Sequence, residues 1–345
     1  MFKMKKILKA LRAAGLSAFG VPRAAQFAIT NRCNGRCKIC SIWKQKEKIT
    51  VSKEDGIKVI DRFAKFGVMQ ITFTGGEPLM NPNIYDFIER AHKHGMYIGV
   101  CVGDPRLITE KTVKKLHDYG PIVLSMSFDT NDPELNAELR GVPGIHDHFK
   151  RAVELINRYN INLVAGPTIT GYTWNKIPEV LNAAKEIGFS FINISYPTQS
   201  LSKTFQIGTA DTTHIALSKE QILFGLNSLL HHIKANKNDP FIINPPLSIR
   251  NMIKFLNDPK SVDYHCLGGW KVFCVDWFLD VYSCWRSENK LGNVLDPDFR
   301  LNKTRHNACT MSWFRDFSVF FQDSGRTAAH HLFAGTFSKF IKLLS

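Results

Sequence analysis

No run of eighteen apolar residues occurs anywhere in this 345-residue chain, so no segment reads as a membrane-spanning helix. The basic start, from Met1 to Arg12, is interrupted by Lys9 and Arg12 and lacks the unbroken apolar stretch of a secretory signal. A cytoplasmic location follows as the expectation, with peripheral contact at the inner face of a membrane as its variant. Acidic residues are also scarce, 30 against 45 Lys and Arg, which leaves a net charge of +15. That imbalance does not bear on fold; it favours association with nucleic acid, an anionic membrane surface or acidic substrates. Internal repeats and low-complexity tracts are missing as well. Hydrophobic residues at 44% are enough for a large core.

The chain is not short of cysteine. Eight in a chain this long read as metal or redox ligands in a reducing compartment, not as a secreted disulfide framework. Cys33, Cys37 and Cys40 stand three residues and then two apart, close enough for one loop to present three thiolates to a single inorganic centre. Iron-sulfur clusters normally take four cysteines, and the fourth is locally absent, which leaves one position open to a substrate or cofactor. A zinc site, which wants paired cysteines or histidines, is the competing reading, but no His lies near this loop.

Residues 1–22 read as a basic amphipathic helix, suited either to an anionic membrane surface or to its own domain. From there to residue 236 short apolar runs alternate with amphipathic ones. Strands are predicted at 26–30, 70–73, 97–102, 122–128, 162–169 and 191–195. Helices are predicted at 53–66, 83–94, 109–118, 148–160, 175–187 and 219–234. Such alternation implies parallel pairing and an α/β fold: a partial (β/α)6, TIM-like barrel whose function sits at the carboxyl ends of the strands. The cysteine loop follows the first predicted strand and Gly75-Gly76-Glu77-Pro78 follows the second, on the same rim. Asn-Asp-Pro and Asn-Pro-Pro sequences mark 237–260 as a linker or domain edge. Beyond it, Cys266, Cys274, Cys284 and Cys309 supply four cysteines within 44 residues, the pattern of a second metal site in a small domain spanning 237–310. Residues 311–345 read as a Phe-rich helical tail.

The three-cysteine loop followed by Gly75-Gly76-Glu77-Pro78 resembles the radical S-adenosylmethionine (radical SAM) superfamily. The resemblance implies a 4Fe-4S cluster on Cys33, Cys37 and Cys40, with S-adenosylmethionine chelating the open iron. Reductive cleavage of the cofactor then yields a 5'-deoxyadenosyl radical that abstracts a substrate hydrogen. It assigns Gly75, Gly76, Glu77 and Pro78 to the cofactor's amino group, and Ser127 and Asp129 to its ribose or carboxylate. Arg140, Asn175 and Tyr196 match weaker positions. Relatives often carry Thr-Asn-Gly where this chain has Cys101-Val102-Gly103, and an aromatic where it has Ile39. The identity of a residue acting directly on substrate does not follow from the sequence.

The later cysteines resemble a SPASM/twitch auxiliary domain, with Asp280 where a turn glycine is usual. The resemblance implies an auxiliary 4Fe-4S cluster on Cys266, Cys274, Cys284 and Cys309; a four-cysteine zinc site is the alternative. An electron donor such as flavodoxin or ferredoxin is the implied partner. The amphipathic ends and the +15 charge favour a membrane-associated lipid or isoprenoid substrate. The alternative is a peptide-modifying maturase forming C–C or C–S bonds, and a remote one is a zinc-stabilised basic nucleic-acid-binding protein. The spread of basic residues over most helices argues against specific nucleic-acid binding.

Overall fold

In the computed structural model, residues 23–120, 122–195, 216–236, 241–261, 265–303 and 311–322 are described. The predicted N-terminal helix, the tail beyond residue 322, Tyr196 and Cys309 lie outside them.

Period-two burial sets the strands. β3 (Tyr97–Val102) and β4 (Ile122–Met126) alternate fully buried residues with half-accessible ones, as strands covered by helices on one face only must do. With β1 (Arg23–Ala28), β2 (Val68–Thr74), β5 (Asn162–Ala165) and β6 (Phe191–Ile192) they form six parallel strands in sequential order. Several observed strands end earlier than the apolar runs suggest. β4 stops at Met126, β5 at Ala165 and β6 at Ile192, because the residues beyond turn into rim loops.

Covering helices begin where small polar side chains can satisfy their first free N–H groups. Ser52 caps α1 (Lys53–Lys65), and α2 (Ile84–Lys93) follows; Thr109 caps α3 (Glu110–Asp118) and Asp132 caps α4 (Pro133–Arg140). Next come α5 (Ile145–Arg158), α6 (Ile177–Ile187) and α7 (Lys219–Ala235), the last opened by a reciprocal capping box of Ser218 and Gln221. The outer faces of β1 and β2 meet α1 and α2 through Phe27, Phe63, Phe73 and Phe87, all fully buried, with rings in stacked, tilted and edge contacts. α4 is absent from the sequence reading: at eight residues it is too short to display a clear apolar period, and only its Asp-Pro start betrays it.

Residues 241–260, within the stretch read as a linker or domain edge, are structured. Ile242 bridges Ile192 in parallel, adding a further extended segment at the β6 edge, and α8 (Pro246–Asn257) follows. Proline starts this helix instead of interrupting it, since the first turn needs no N–H at that position. β7 (Val272–Val275) then pairs in parallel with β1, and β8 (Asp280–Tyr282) and β9 (Lys290–Asn293) add on antiparallel. The cysteine-bearing hairpin therefore continues the barrel sheet. Its turn is held by the Asp276 carboxylate, which accepts from the Phe278 and Asp280 N–H groups. Leu279 takes the left-handed conformation, with φ of 67°, in place of a glycine.

α9 (Ser312–Gln322) runs from one edge of the half-barrel to the other. Ser312 hydrogen-bonds Ser195 beyond β6, Asp316 meets Ser248 and Asn244, Ser318 accepts from the Leu267 N–H, and Lys271 beside β7 donates to the Phe321 carbonyl. The described Phe residues of this helix pack: Phe314 and Phe321 are buried, and Phe317 and Trp313 lie against the core.

Candidate metal and cofactor centre

Backbone bonds from the second strand's turn lock the three-cysteine loop in place. The Gly76 N–H donates to the Thr30 carbonyl and the Glu77 N–H to that of Arg32, each at 2.8 Å. A Cβ on Gly75 would lie 2.2 Å from the Thr30 oxygen, and one on Gly76 would lie 2.3 Å from that of Arg32. Only two glycines permit this approach, and Gly75 also sits at φ of 133°. The expected pairing of the two motifs on one rim is therefore a direct contact.

Glu77 is buried, and its carboxylate accepts from three backbone N–H groups, those of Leu79 (3.2 Å), Gly103 (2.8 Å) and Asp104 (3.0 Å). Burial nevertheless pushes its carboxyl up to about 7 against the pull of those donors. Its visible work is to tie the Gly75–Pro78 turn to the end of β3.

On its other side the loop is held by α4. Arg36 and Lys38 donate their N–H groups to the carbonyls of Arg140 (3.3 Å) and Leu139 (2.9 Å). The Arg140 guanidinium forms a two-pronged ion pair with buried Asp129, the second bond at 2.6 Å, and sits 4.0 Å from the Cys37 sulfur. Asp129 also accepts from the Thr168 N–H beyond β5 at 2.8 Å. Asp129 and Arg140, assigned separately by sequence pattern, thus act as one unit joining the cysteine loop to the ends of β4 and β5. Ser127 is half-buried at the end of β4, with its N–H on the Val102 carbonyl. Asn175 is exposed ahead of α6.

The donor set suits an iron-sulfur cluster. Cys33, Cys37 and Cys40 are half-buried and near enough to repel one another as thiolates. Burial pushes Cys33 up to about 12 and Cys40 to about 11; it also raises Cys37, against the opposing charge of Arg140. A Cβ on Gly35 would lie 3.5 Å from both the Cys33 and the Cys37 sulfur, so the missing side chain leaves the space between them clear. Among the described residues no three His, Cys, Asp or Glu side chains converge to hold one metal ion.

In the later segment, Cys266, Cys274 and Cys284 are buried. Cys284 lies within electrostatic reach of both others, and burial raises Cys274 and Cys284. Cys274 pairs with Gln26 across the sheet, and the Trp285 indole donates to the Gln26 side chain. Three of the four proposed ligands thus gather where the hairpin joins β1.

Between these two cysteine sets lies the inner face of the sheet. By strand register, one inward row holds Gln26, Thr72, Gly99 and Val123; the next holds Ala28, Thr74, Cys101 and Ser125. Gln26, Thr74, Gly99, Cys101, Val123 and Ser125 keep partial access, although a closed eight-stranded barrel fills its interior with branched apolar side chains. The inner face of the six-stranded wall is therefore partly accessible, with a mostly small, polar lining. Sequence periodicity hinted at this through Thr, Ser and Gly on alternate strand positions, but without register their common face was invisible.

The model of the Radical SAM superfamily matches residues 27–194. The chain contains a radical SAM domain. Its C-terminal extension resembles that of SPASM-domain enzymes of the superfamily. The chain is 26% identical to a PqqA peptide cyclase of Granulibacter bethesdensis over 50% of its own length and 46% of that protein's. It thus spans about half the length of the first curated relatives it matches. In fold it is similar to anSMEcpe with bound AdoMet and a Kp18Cys peptide, with TM-score 0.61, 19% identity, and 80% and 78% of the two chains covered. It is likewise similar to Streptococcus suis SuiB bound to precursor peptide SuiA, with TM-score 0.61, 15% identity, and 93% and 70% covered.

Proposed function

We propose that the chain is a radical SAM enzyme acting on a peptide, with a 4Fe-4S cluster on Cys33, Cys37 and Cys40 and an auxiliary cluster on Cys266, Cys274, Cys284 and Cys309. A bound cluster with S-adenosylmethionine supplies reductive cleavage of the sulfonium to methionine and a 5'-deoxyadenosyl radical, which abstracts a substrate hydrogen. The chain's own residues set up that chemistry. Gly75 and Gly76 keep the cofactor rim narrow and free of side chains, with Glu77 and Pro78 completing the turn. Ser127, with Asp129 held by Arg140, lines the ribose and carboxylate side. The inner wall receives the substrate.

The polar inner wall carries the choice of substrate class. An isoprenoid or acyl chain calls for an apolar pocket with few polar groups, whereas Gln26, Thr74 and Ser125, each partly accessible on the inner face, offer donors and acceptors suited to peptide amides. The expectation of a lipid substrate therefore yields to the peptide alternative. Similarity to proteins named for peptide cyclisation and to structures holding peptides supports the same reading.

Anaerobically reconstituted protein tests the proposal in two parts. With dithionite and S-adenosylmethionine, the wild type is expected to form 5'-deoxyadenosine and Cys37→Ala none; cleavage retained by the variant would overturn the cluster assignment. Adding the low-mass peptide fraction of a cell extract is expected to raise turnover, and the extracted lipid fraction is not. The opposite response restores the lipid reading.

A further inference from the structure

Six basic residues and one acidic one lie between positions 32 and 48. Arg32, Arg36, Lys44, Lys46 and Lys48 are exposed; Lys38 is ion-paired with Glu138, and Glu47 is the one carboxylate of the segment. This is the loop that carries Cys33, Cys37 and Cys40, all half-accessible, so the basic face and the proposed cluster share one stretch of surface. At its centre is Trp43. The indole N–H donates to the Cys37 carbonyl at 3.2 Å, Arg36 and Lys44 sit over the ring at 5.2 and 5.3 Å, and the Lys48 ammonium bonds the Trp43 carbonyl at 3.0 Å. A half-exposed aromatic ring thus connects through one hydrogen bond to the backbone of a cluster ligand, within a ring of cations.

Resting on the radical SAM reading above, we infer that the Trp43-centred face of residues 32–48 is the docking surface for an acidic one-electron donor protein, with Trp43 as the contact nearest the cluster loop. Charge complementarity selects the partner. Like-charged proteins are repelled, and an acidic one is steered onto the patch at rates that fall as salt rises. The electron balance requires such a partner: each reductive cleavage consumes one electron, which leaves the donor and enters the cluster, with no bond made or broken in the transfer. The half-accessible cysteine loop brings the cluster close to the face where the donor would sit.

The triple variant Lys44→Glu, Lys46→Glu, Lys48→Glu tests this, since these side chains are exposed and lie outside the cofactor site. Cofactor cleavage is measured with dithionite and, separately, with reduced flavodoxin. Binding of oxidised flavodoxin is followed by surface plasmon resonance as salt is varied. The expected result is unchanged cleavage with dithionite, about a tenfold or greater rise in KM for flavodoxin, and a weakened, less salt-sensitive affinity. Trp43→Leu is expected to slow flavodoxin-driven turnover while leaving its affinity within about twofold, as loss of one neutral contact in a charge-steered encounter would. Unaltered flavodoxin binding and KM in the triple variant would overturn the inference while leaving the radical SAM reading intact. A raised KM for peptide under dithionite would instead make this a substrate surface. Loss of dithionite-driven cleavage in the wild type would fail the underlying reading itself.

Discussion

Gly76 sits where one added carbon meets a carbonyl oxygen at 2.3 Å, so a single methyl separates the two halves of the cofactor rim. Gly76→Ala is expected to cost about 1–3 kcal/mol through overpacking, with iron content after reconstitution falling further than stability does, because the displaced backbone belongs to the cysteine loop. A denaturant titration and an iron assay on the same preparation check both effects. Glu77, its neighbour, is buried, and its carboxylate accepts from three backbone N–H groups. Glu77→Gln would turn one oxygen into a donor facing these donors, leaving a buried N–H without its acceptor. A loss of about 1–3 kcal/mol is expected, measurable by thermal or denaturant unfolding without any cofactor present.

Among the elements, α4 has an influence out of proportion to its eight residues. Its last carbonyls hold the cysteine loop, and its last side chain, Arg140, holds Asp129 at the end of β4. Both partners are buried. Asp129→Asn leaves the guanidinium without its counter-charge, a change expected to destabilise the protein by about 3–5 kcal/mol. The double variant Asp129→Asn, Arg140→Met should recover part of that loss, because the uncompensated charge is gone. A double-mutant cycle in denaturant gives the comparison. The motifs on either side of α4 were legible because each has fixed spacing within one loop. The helix joining them was not, since what it does depends on a contact with Cys37 more than a hundred positions away in the chain.

Across the whole molecule, α9 ties the loop beyond β6 to the segment leading into β7. Asp316 lies in that span, bonded to Ser248 and Asn244, and burial raises its carboxyl to about 7 from the ordinary 3.8. A raised value means that the folded form holds its proton longer than the unfolded chain. The contribution to stability is therefore complete below about 3.8 and is lost as pH climbs towards 7. Asp316→Asn keeps a polar group in place without a titrating one. The variant's stability relative to wild type should accordingly rise with pH between about pH 4 and pH 8, as thermal melts across that range would show.

The sequence by itself determined the alternating α/β order, the parallel barrel and the proximity of two short motifs. Strand and helix periods are local properties of side-chain placement, and a strand's end fixes where the following loop emerges. Cys33, Cys37 and Cys40 needed only their spacing to be read as a ligand set. Tertiary structure alone decided what the strands enclose and how the edges are finished. Register aligned Gln26, Thr72 and Gly99 in one inward row, the juxtaposition from which the proposal of a peptide substrate is argued. Pairing of β7 with β1, at nearly 250 positions' separation, brought Cys266, Cys274 and Cys284 to the barrel's margin. Such pairings depend on which distant surfaces bury one another, a quantity that no local pattern encodes.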